Sequence, residues 1–261
     1  MKDQTVLFHS TIFGPIHSRR LGTSLGVNLT PADGKVCTFD CLYCEAGFNA
    51  QGTGKAGIPP RAEVARLLED KLKAMSAAGD PLDVITFSGN GEPTLHPDFP
   101  GVIDDTLRLR DKYYPQAKVS VLTNSTRIFD PAVADALDRV DNNILKLDSA
   151  VDDTMQALDR PVSREFTVGK VVEGLKRFAG TGIIQTMLLR GEYEGKNVDN
   201  TTPAELEALA EAYLAIRPRE VMLYSIDRAT PAENLQKVPK EELEKIAGFF
   251  KAKGIPVASF S

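Results

Sequence analysis

Three cysteines, Cys37, Cys41 and Cys44, are all the thiols of this 261-residue chain, and they stand within one eight-residue stretch. Their C-x3-C-x2-C spacing is wrong for a disulfide framework, which needs spread and paired numbers. It suits an iron–sulfur cluster, which is held by cysteine thiolates, normally four of them. Three thiolates on a tight loop can grip three irons of a cubane and leave the fourth iron with an open coordination position. An open position is what a catalytic metal site needs, whereas a structural site is closed. A structural zinc site is one alternative, but its second ligand pair would have to come from His9, His17 or His96, which form no H-x3–5-H pattern. Inert burial of three small side chains is the other.

The surrounding elements must position that motif. Apolar, strand-like runs at residues 25–29, 84–88, 118–123, 143–148, 183–190 and 220–227 alternate with amphipathic helices. Val64, Leu68, Leu72 and Met75 share one helical face. So do Leu206, Leu209, Tyr213 and Ile216, and again Leu243, Ile246 and Phe250. Asp130-Pro131 reads as an N-cap followed by proline at the first helical position, and Thr202-Pro203-Ala204-Glu205 adds a capping-box glutamate. Six βα repeats without a hairpin signal predict a single α/β domain, a partial (β/α)6 TIM-like barrel of parallel strands with outer helices. A doubly wound open sheet is the alternative, and in both folds ligands gather at the C-terminal strand ends. The expected organisation is an N-terminal segment 1–23, a core 24–228 and a C-terminal βα extension 229–261 packed on the core.

A parallel strand covered on both faces should be almost wholly apolar. Here Thr86, Ser88 and Asn90 share a strand face, as do Lys146 and Asp148, and Thr186 and Arg190. These faces are expected to line a polar cavity near the strand tips; satisfied polar groups in the core are the alternative. The formal charge of −5 argues against a surface built wholly to trap nucleic acid, leaving Arg19-Arg20 as a local basic pair. No apolar run approaches the roughly 20 residues that span a bilayer. Met1-Lys2-Asp3-Gln4 opens no signal peptide, so the cytoplasm is the expected location. Gly52-Thr53-Gly54-Lys55-Ala56-Gly57 fits G-x-G-x-x-G, but it follows the cysteine loop and runs into Ile58-Pro59-Pro60, which removes the dinucleotide context. His96 reads as a packing residue in preference to a general base.

The segment from Cys37 to Cys44, with Tyr43 before the last cysteine, directly follows the first strand of a βα-repeat chain. It resembles the cluster loop of the radical S-adenosylmethionine (SAM) superfamily. At the next strand tip, Ser88-Gly89-Asn90-Gly91-Glu92 resembles that family's glycine-rich GGE turn, from which it departs by placing Asn90 between the glycines. The run Gly89 to Pro97, with Phe13-Gly14-Pro15 and Ser18-Arg19-Arg20-Leu21-Gly22 upstream, resembles the group of tRNA wyosine-synthesising (4-demethylwyosine synthase-like) enzymes. The likeness covers about residues 13–228 and is strongest before residue 100.

This resemblance implies a [4Fe-4S] cluster on the three cysteines, with SAM on the open iron and a flavodoxin- or ferredoxin-like electron donor. Reductive cleavage of the sulfonium then yields methionine and a 5′-deoxyadenosyl radical that abstracts a substrate hydrogen. The turn of Ser88, Gly89, Asn90, Gly91 and Glu92 would receive the methionine amino group, since glycines permit close backbone approach and a carboxylate suits an ammonium. Tyr43 would pack near the adenine. Asn124, Lys146, Asp148 and Arg190, at expected strand tips, are candidates for the ribose hydroxyls, the methionine carboxylate or substrate. With no further cysteine, no cysteine-ligated auxiliary cluster can form, and the chain is too short for an added cobalamin domain. Substrate contacts are expected from residues 192–201, rich in charge, glycine and asparagine, while Asp227-Arg228 reads as a solvated loop. The expected substrate is a small molecule, peptide or protein. Modification of a tRNA base is an alternative, weakened by the acidic balance and the single cysteine set; a non-catalytic iron–sulfur or zinc protein is another.

Overall fold

The computed structural model describes residues 6–18 and 20–260; Met1-Lys2-Asp3-Gln4 and Arg19 lie outside them. Along the chain run β1 (Ile12–Ser18), β2 (Gly22–Val27), α1 (Arg61–Ala78), β3 (Val84–Phe87), α2 (Phe99–Tyr113), β4 (Lys118–Thr123), α3 (Pro131–Arg139), β5 (Asn142–Lys146) and α4 (Asp152–Leu158). There follow α5 (Val168–Leu175), β6 (Ile183–Tyr193), β7 (Lys196–Asp199), α6 (Pro203–Ile216), β8 (Glu220–Ser225), β9 (Leu235–Lys237), α7 (Lys240–Ala252) and β10 (Val257–Phe260).

The helices form where apolar spacing and caps ask for them. Val64, Leu68, Leu72 and Met75 are buried along α1, which stops at Gly79 in the left-handed conformation, φ 73°. Asp130 accepts the Ala132 N–H at the start of α3, and Thr202 accepts the Glu205 N–H at the start of α6. Glu205 itself departs from the expected capping box. Its carboxylate is buried against Ser149 Oγ at 2.7 Å and the Thr154 hydroxyl, which ties α6 to the segment after β5.

Among the described residues the strands make one ten-stranded sheet. β2, β3, β4, β5, β6, β8 and β10 pair parallel and in chain order. That order results when successive right-handed βα crossovers lay their helices on the same face, and it is not that of a doubly wound sheet. Leu21 leads into β2 and Phe260 ends β10, yet both pack against the one buried cluster of Ile144, Ile183 and Met222. Opposite edges of the sheet therefore meet the same inward side chains, and the sheet curls into an open-sided barrel. The larger core lies outside it, where Leu25, Ile85, Val119, Leu145, Ile184 and Leu223 face the helices.

The expectation of no hairpin fails twice. β1 runs antiparallel to β2, with Ser18 opposite Gly22. β6 continues past the barrel wall and folds back on β7 through Glu194 (φ 50°) and Gly195 (φ 74°), a two-residue turn whose positive φ values suit hairpin twist. Residues 192–201 are therefore largely hairpin and not a free loop. β9 adds a third antiparallel partner, again on β6. Among the described residues no helix is long and apolar enough to cross a membrane.

Candidate active site

The cysteine loop follows β2 and is fastened on three sides. Val36 bridges Gly91: its N–H reaches Asn90 O at 3.2 Å, and the Glu92 N–H reaches Val36 O at 3.0 Å. A Cβ on Gly91 would lie 1.9 Å from Val36 O, so glycine is what lets the two backbones meet. On another side, the Asp40 and Leu42 N–H groups donate to the carbonyls of Asp159 (3.1 Å) and Leu158 (3.0 Å) at the end of α4. Buried Lys35 closes the loop on itself, donating to Gly47 O at 2.7 Å and lying 3.7 Å from Asp40 Oδ1.

Cys41 is buried, while Cys37 and Cys44 are half-buried. Cys37 Sγ accepts the Phe39 N–H at 3.5 Å and Asn124 Nδ2 at 3.6 Å. Burial, reinforced by the neighbouring Glu92, pushes the Cys37 thiol up to about 12. Burial also lifts Cys41 well above its ordinary range against the pull of Lys146. A bare thiolate is disfavoured at both, so thiolate charge there needs a positive partner, which a metal centre supplies.

The glycine-rich turn is spoken for by the scaffold to a degree its motif does not reveal. Asn90 is fully buried; its side chain accepts the Phe8 N–H (2.8 Å) and donates to Phe8 O (3.0 Å) and Pro31 O (2.9 Å). Glu92 is buried too, and its carboxylate accepts Thr123 Oγ1 (2.7 Å), the Asn124 N–H (2.7 Å), the Thr94 N–H (3.1 Å) and the Thr94 hydroxyl. Burial raises the Glu92 pKa, and these donors oppose the rise. Glu92 thus latches the tip of β3 to the tip of β4 and orients Asn124, whose Nδ2 also donates to Thr38 Oγ1 at 2.8 Å.

Tyr43, Lys146 and Asp148 form a third group. Lys146 Nζ donates to Asp148 Oδ2 and to the Tyr43 hydroxyl, which itself donates to Asp148. Nζ lies 4.6 Å from the Tyr43 ring centroid and 3.0 Å from Asp159 Oδ1, an ion pair without hydrogen-bond alignment. Asp148 Oδ1 accepts the Met187 N–H at 2.8 Å. One buried lysine therefore serves two buried carboxylates, and burial lifts Asp159 to about 8 despite it. Sequence reasoning missed Asp159, which sits at the C-cap of α4 with no motif around it; the fold alone carries it to Lys146.

Tyr43, Cys44, Ser88 and Gly89 carry these groups to the edge of a cavity of about 420 Å³, a volume typical of small-ligand sites, while Glu92, Lys146, Asp148 and Asp159 lie behind its lining. Ser24, Thr86, Leu122, Gln185 and Tyr224 line it from the barrel wall, and Tyr43, Cys44, Ser88 and Gly89 from the strand-tip loops. Thr86 and Ser88 face it as expected, whereas the Asn90 side chain is tied to Phe8 and Pro31. On β6 the expected faces are reversed. Gln185 and Met187 point inward, while Thr186 shares a 2.6 Å hydrogen bond with the Tyr213 hydroxyl on α6 and Arg190 pairs with Glu242 on α7. Period two separates the faces of a strand without saying which is inside. The structure does not bring Arg190 to the other candidates. His96 takes a packing role, with Nε2 2.9 Å from Pro59 O and Nδ1 accepting the Asp98 N–H; His9 lies 3.2 Å from Ala32 O, and His17 is at the cavity edge. The glycine run at 52–57 wraps the Asp33 carboxylate, which accepts the Lys55 and Ala56 N–H groups.

Three thiols on one braced loop, with N–H donors at one sulfur and Cys44 opening on the cavity, fit a cluster held by three thiolates. Among the described residues no three histidine, cysteine or carboxylate side chains converge as a single metal ion would require.

A family model described as the radical SAM superfamily matches residues 33–199. The chain is 30% identical over 247 residues to a UPF0026 protein of Helicobacter pylori, covering 92% of this chain and 73% of that protein. It is 29% identical over 255 residues to a GTPase Obg of Brachyspira hyodysenteriae, covering 96% of this chain but 35% of that protein. Among solved structures, a radical SAM methyltransferase from Sphaerobacter thermophilus superposes with a TM-score of 0.65 at 19% identity, over 91% of this chain and 65% of that one. A structure of TYW1 with a lysine–pyruvate adduct bound gives 0.58 at 14% identity, over 89% and 75%. At these identities the structural likeness establishes the fold, a partial α/β barrel.

Proposed function

The chain belongs to the radical SAM superfamily, alongside the UPF0026 proteins, and on that premise we propose that it cleaves SAM reductively and abstracts hydrogen from a small molecule, peptide or protein. Membership makes it an enzyme and sets aside the non-catalytic alternative. The superfamily's cofactors are a [4Fe-4S] cluster and SAM, which when bound supply a 5′-deoxyadenosyl radical.

The chain's own residues divide the remaining work. Cys37, Cys41 and Cys44 hold the cluster. Ser88 and Gly89, on the cavity wall, offer the methionine end of SAM backbone groups and a hydroxyl. Glu92 acts through Asn124 and the two strand tips, and Gly91 through the loop it docks. Tyr43, its hydroxyl held by Lys146 and Asp148, presents a fixed ring toward the adenine. Met187, Leu122 and Phe13 on the cavity wall help exclude water from a reactive centre. The electron comes from a flavodoxin- or ferredoxin-like donor, and the cytoplasm is the proposed setting.

The observation carrying this reading is a three-thiol loop bridged by Val36 and Gly91 to a glycine-rich turn at the mouth of a barrel cavity. Anaerobic reconstitution followed by reduction with SAM present should release 5′-deoxyadenosine, measured by mass spectrometry. A protein that holds four irons per chain and releases none would overturn it. The likeness of residues 13–22 and 89–97 to the wyosine-synthesising group supports a second reading, a tRNA base as substrate, against which the charge of −5 weighs. Filter binding with total tRNA across a salt series decides, since no retention at low salt removes RNA.

A further inference from the structure

Arg20 carries a guanidinium that no carboxylate among the described residues pairs with. It sits in the short connection between β1 and β2, where the Arg20 and Leu21 N–H groups bond Ser18 Oγ at 3.3 and 3.2 Å and fix the backbone. From there its side chain enters the barrel and places the guanidinium 4.9 Å from the ring centroid of Tyr224 on β8. Both residues line the cavity, and Arg20 Nη1 is buried with no hydrogen-bond partner. A buried donor without an acceptor is costly and calls for an explanation.

The cavity's own carboxylates do not supply one. Glu45 pairs with Arg228, and Asp227 pairs with Lys237 at 3.0 Å. The hydroxyls nearest the β2–β3 wall, Ser24 and Thr86, bond each other at 2.8 Å. A guanidinium held over an aromatic face keeps its N–H edge free, and that edge matches the planar fork of a carboxylate or the oxygens of a phosphate. No unpaired acid stands on the cavity wall among the described residues to repel such a group.

We propose that Arg20 is the receptor for an anionic group of the substrate, a carboxylate or phosphate, held inside the barrel; this rests on the radical SAM reading and narrows its substrate class. The carboxylate of SAM has the same chemistry. Arg20 reaches the cavity from the Gly22 end of β2 and lies against Tyr224 on β8, on a different part of the lining from Tyr43, Ser88 and Gly89 of the strand-tip loops, and competition with SAM separates the two assignments. Arg20 is thus a substrate-binding residue on an N-terminal hairpin, outside the cysteine and glycine-rich motifs.

Isothermal titration of the anaerobically reconstituted protein with inorganic phosphate tests this. One phosphate per chain should bind, with the same affinity whether or not SAM is saturating. Arg20→Gln should weaken phosphate by about tenfold or more, the usual size of a charge-assisted hydrogen bond. Arg20→Lys should fall between, keeping the charge but losing the planar fork. Displacement of phosphate by SAM would show that the guanidinium serves the SAM carboxylate and would overturn the proposal. So would native affinity in Arg20→Gln, meaning an adventitious ion only, or no phosphate binding at all. Should Arg20→Gln not fold, the SAM competition on the native protein still decides. Absence of 5′-deoxyadenosine release alongside Arg20-dependent phosphate binding would count against the radical reading while leaving the anion subsite standing.

Discussion

Replacing Glu92 by glutamine is expected to unlatch Asn124. One amide –NH2 would face the Asn124 N–H or the Thr94 N–H, turning an accepted hydrogen bond into a donor–donor contact at a buried site, at a cost of about 1–3 kcal/mol. Glu92→Gln should therefore unfold at lower denaturant and release cluster iron faster, because Asn124 also contacts Cys37 Sγ; native values for both would refute the latch. Asp159 supplies a pH signature. Its pKa rises from 3.8 to about 8 on folding because it is buried, so the folded chain binds the extra proton between those limits. Its contribution to stability is complete below pH 3.8 and is lost as pH rises toward about 8. Urea titrations across that window should show native stability falling with pH and a flatter slope in Asp159→Asn. At this scale the cysteines and Glu92 were legible from type and spacing. Asp159 was not, because a lone aspartate at a helix end carries no pattern.

At the scale of elements, the contact between the cysteine loop and the glycine-rich turn is a backbone bridge that any side chain at position 91 would obstruct. Gly91→Ala should cost about 1–3 kcal/mol as overpacking, lower the melting temperature and reduce iron per chain, since Val36 stands next to Cys37. Thr186→Val makes a useful contrast. It removes the partner of the buried Tyr213 hydroxyl on the helix side of β6, so stability should fall while iron content stays native. Helices were readable because an apolar face repeats at 3.6 residues and caps are local. The hairpins were not. In β1 the sequence Gly14-Pro15 interrupts the alternation, and the Glu194-Gly195 turn lies inside a polar stretch that resembles a loop.

Across the whole molecule, the N-terminal segment joins the two halves of the site. The Val6 N–H bonds Glu45 O at 2.8 Å beside Cys44, while Phe8 bonds Asn90 and stacks on Phe13 with centroids 3.8 Å apart. Removing residues 1–9 would strand the buried Asn90 amide and uncover the cavity edge. Cluster iron should then be lost faster in air, with far-ultraviolet dichroism near native; unchanged iron retention would count against a clamp. The sequence by itself determined the chemistry available, because three thiols in eight residues and a glycine-rich turn at a strand tip are local facts of the covalent chain. It also determined the βα alternation that places them at one end of a parallel sheet. Only the tertiary structure decided which face of β6 is inside, that Asp159 shares Lys146, and that Arg20 reaches Tyr224. Those meetings join distant parts of the chain through the curl of the sheet, and that curl is set by the packing of all strands together.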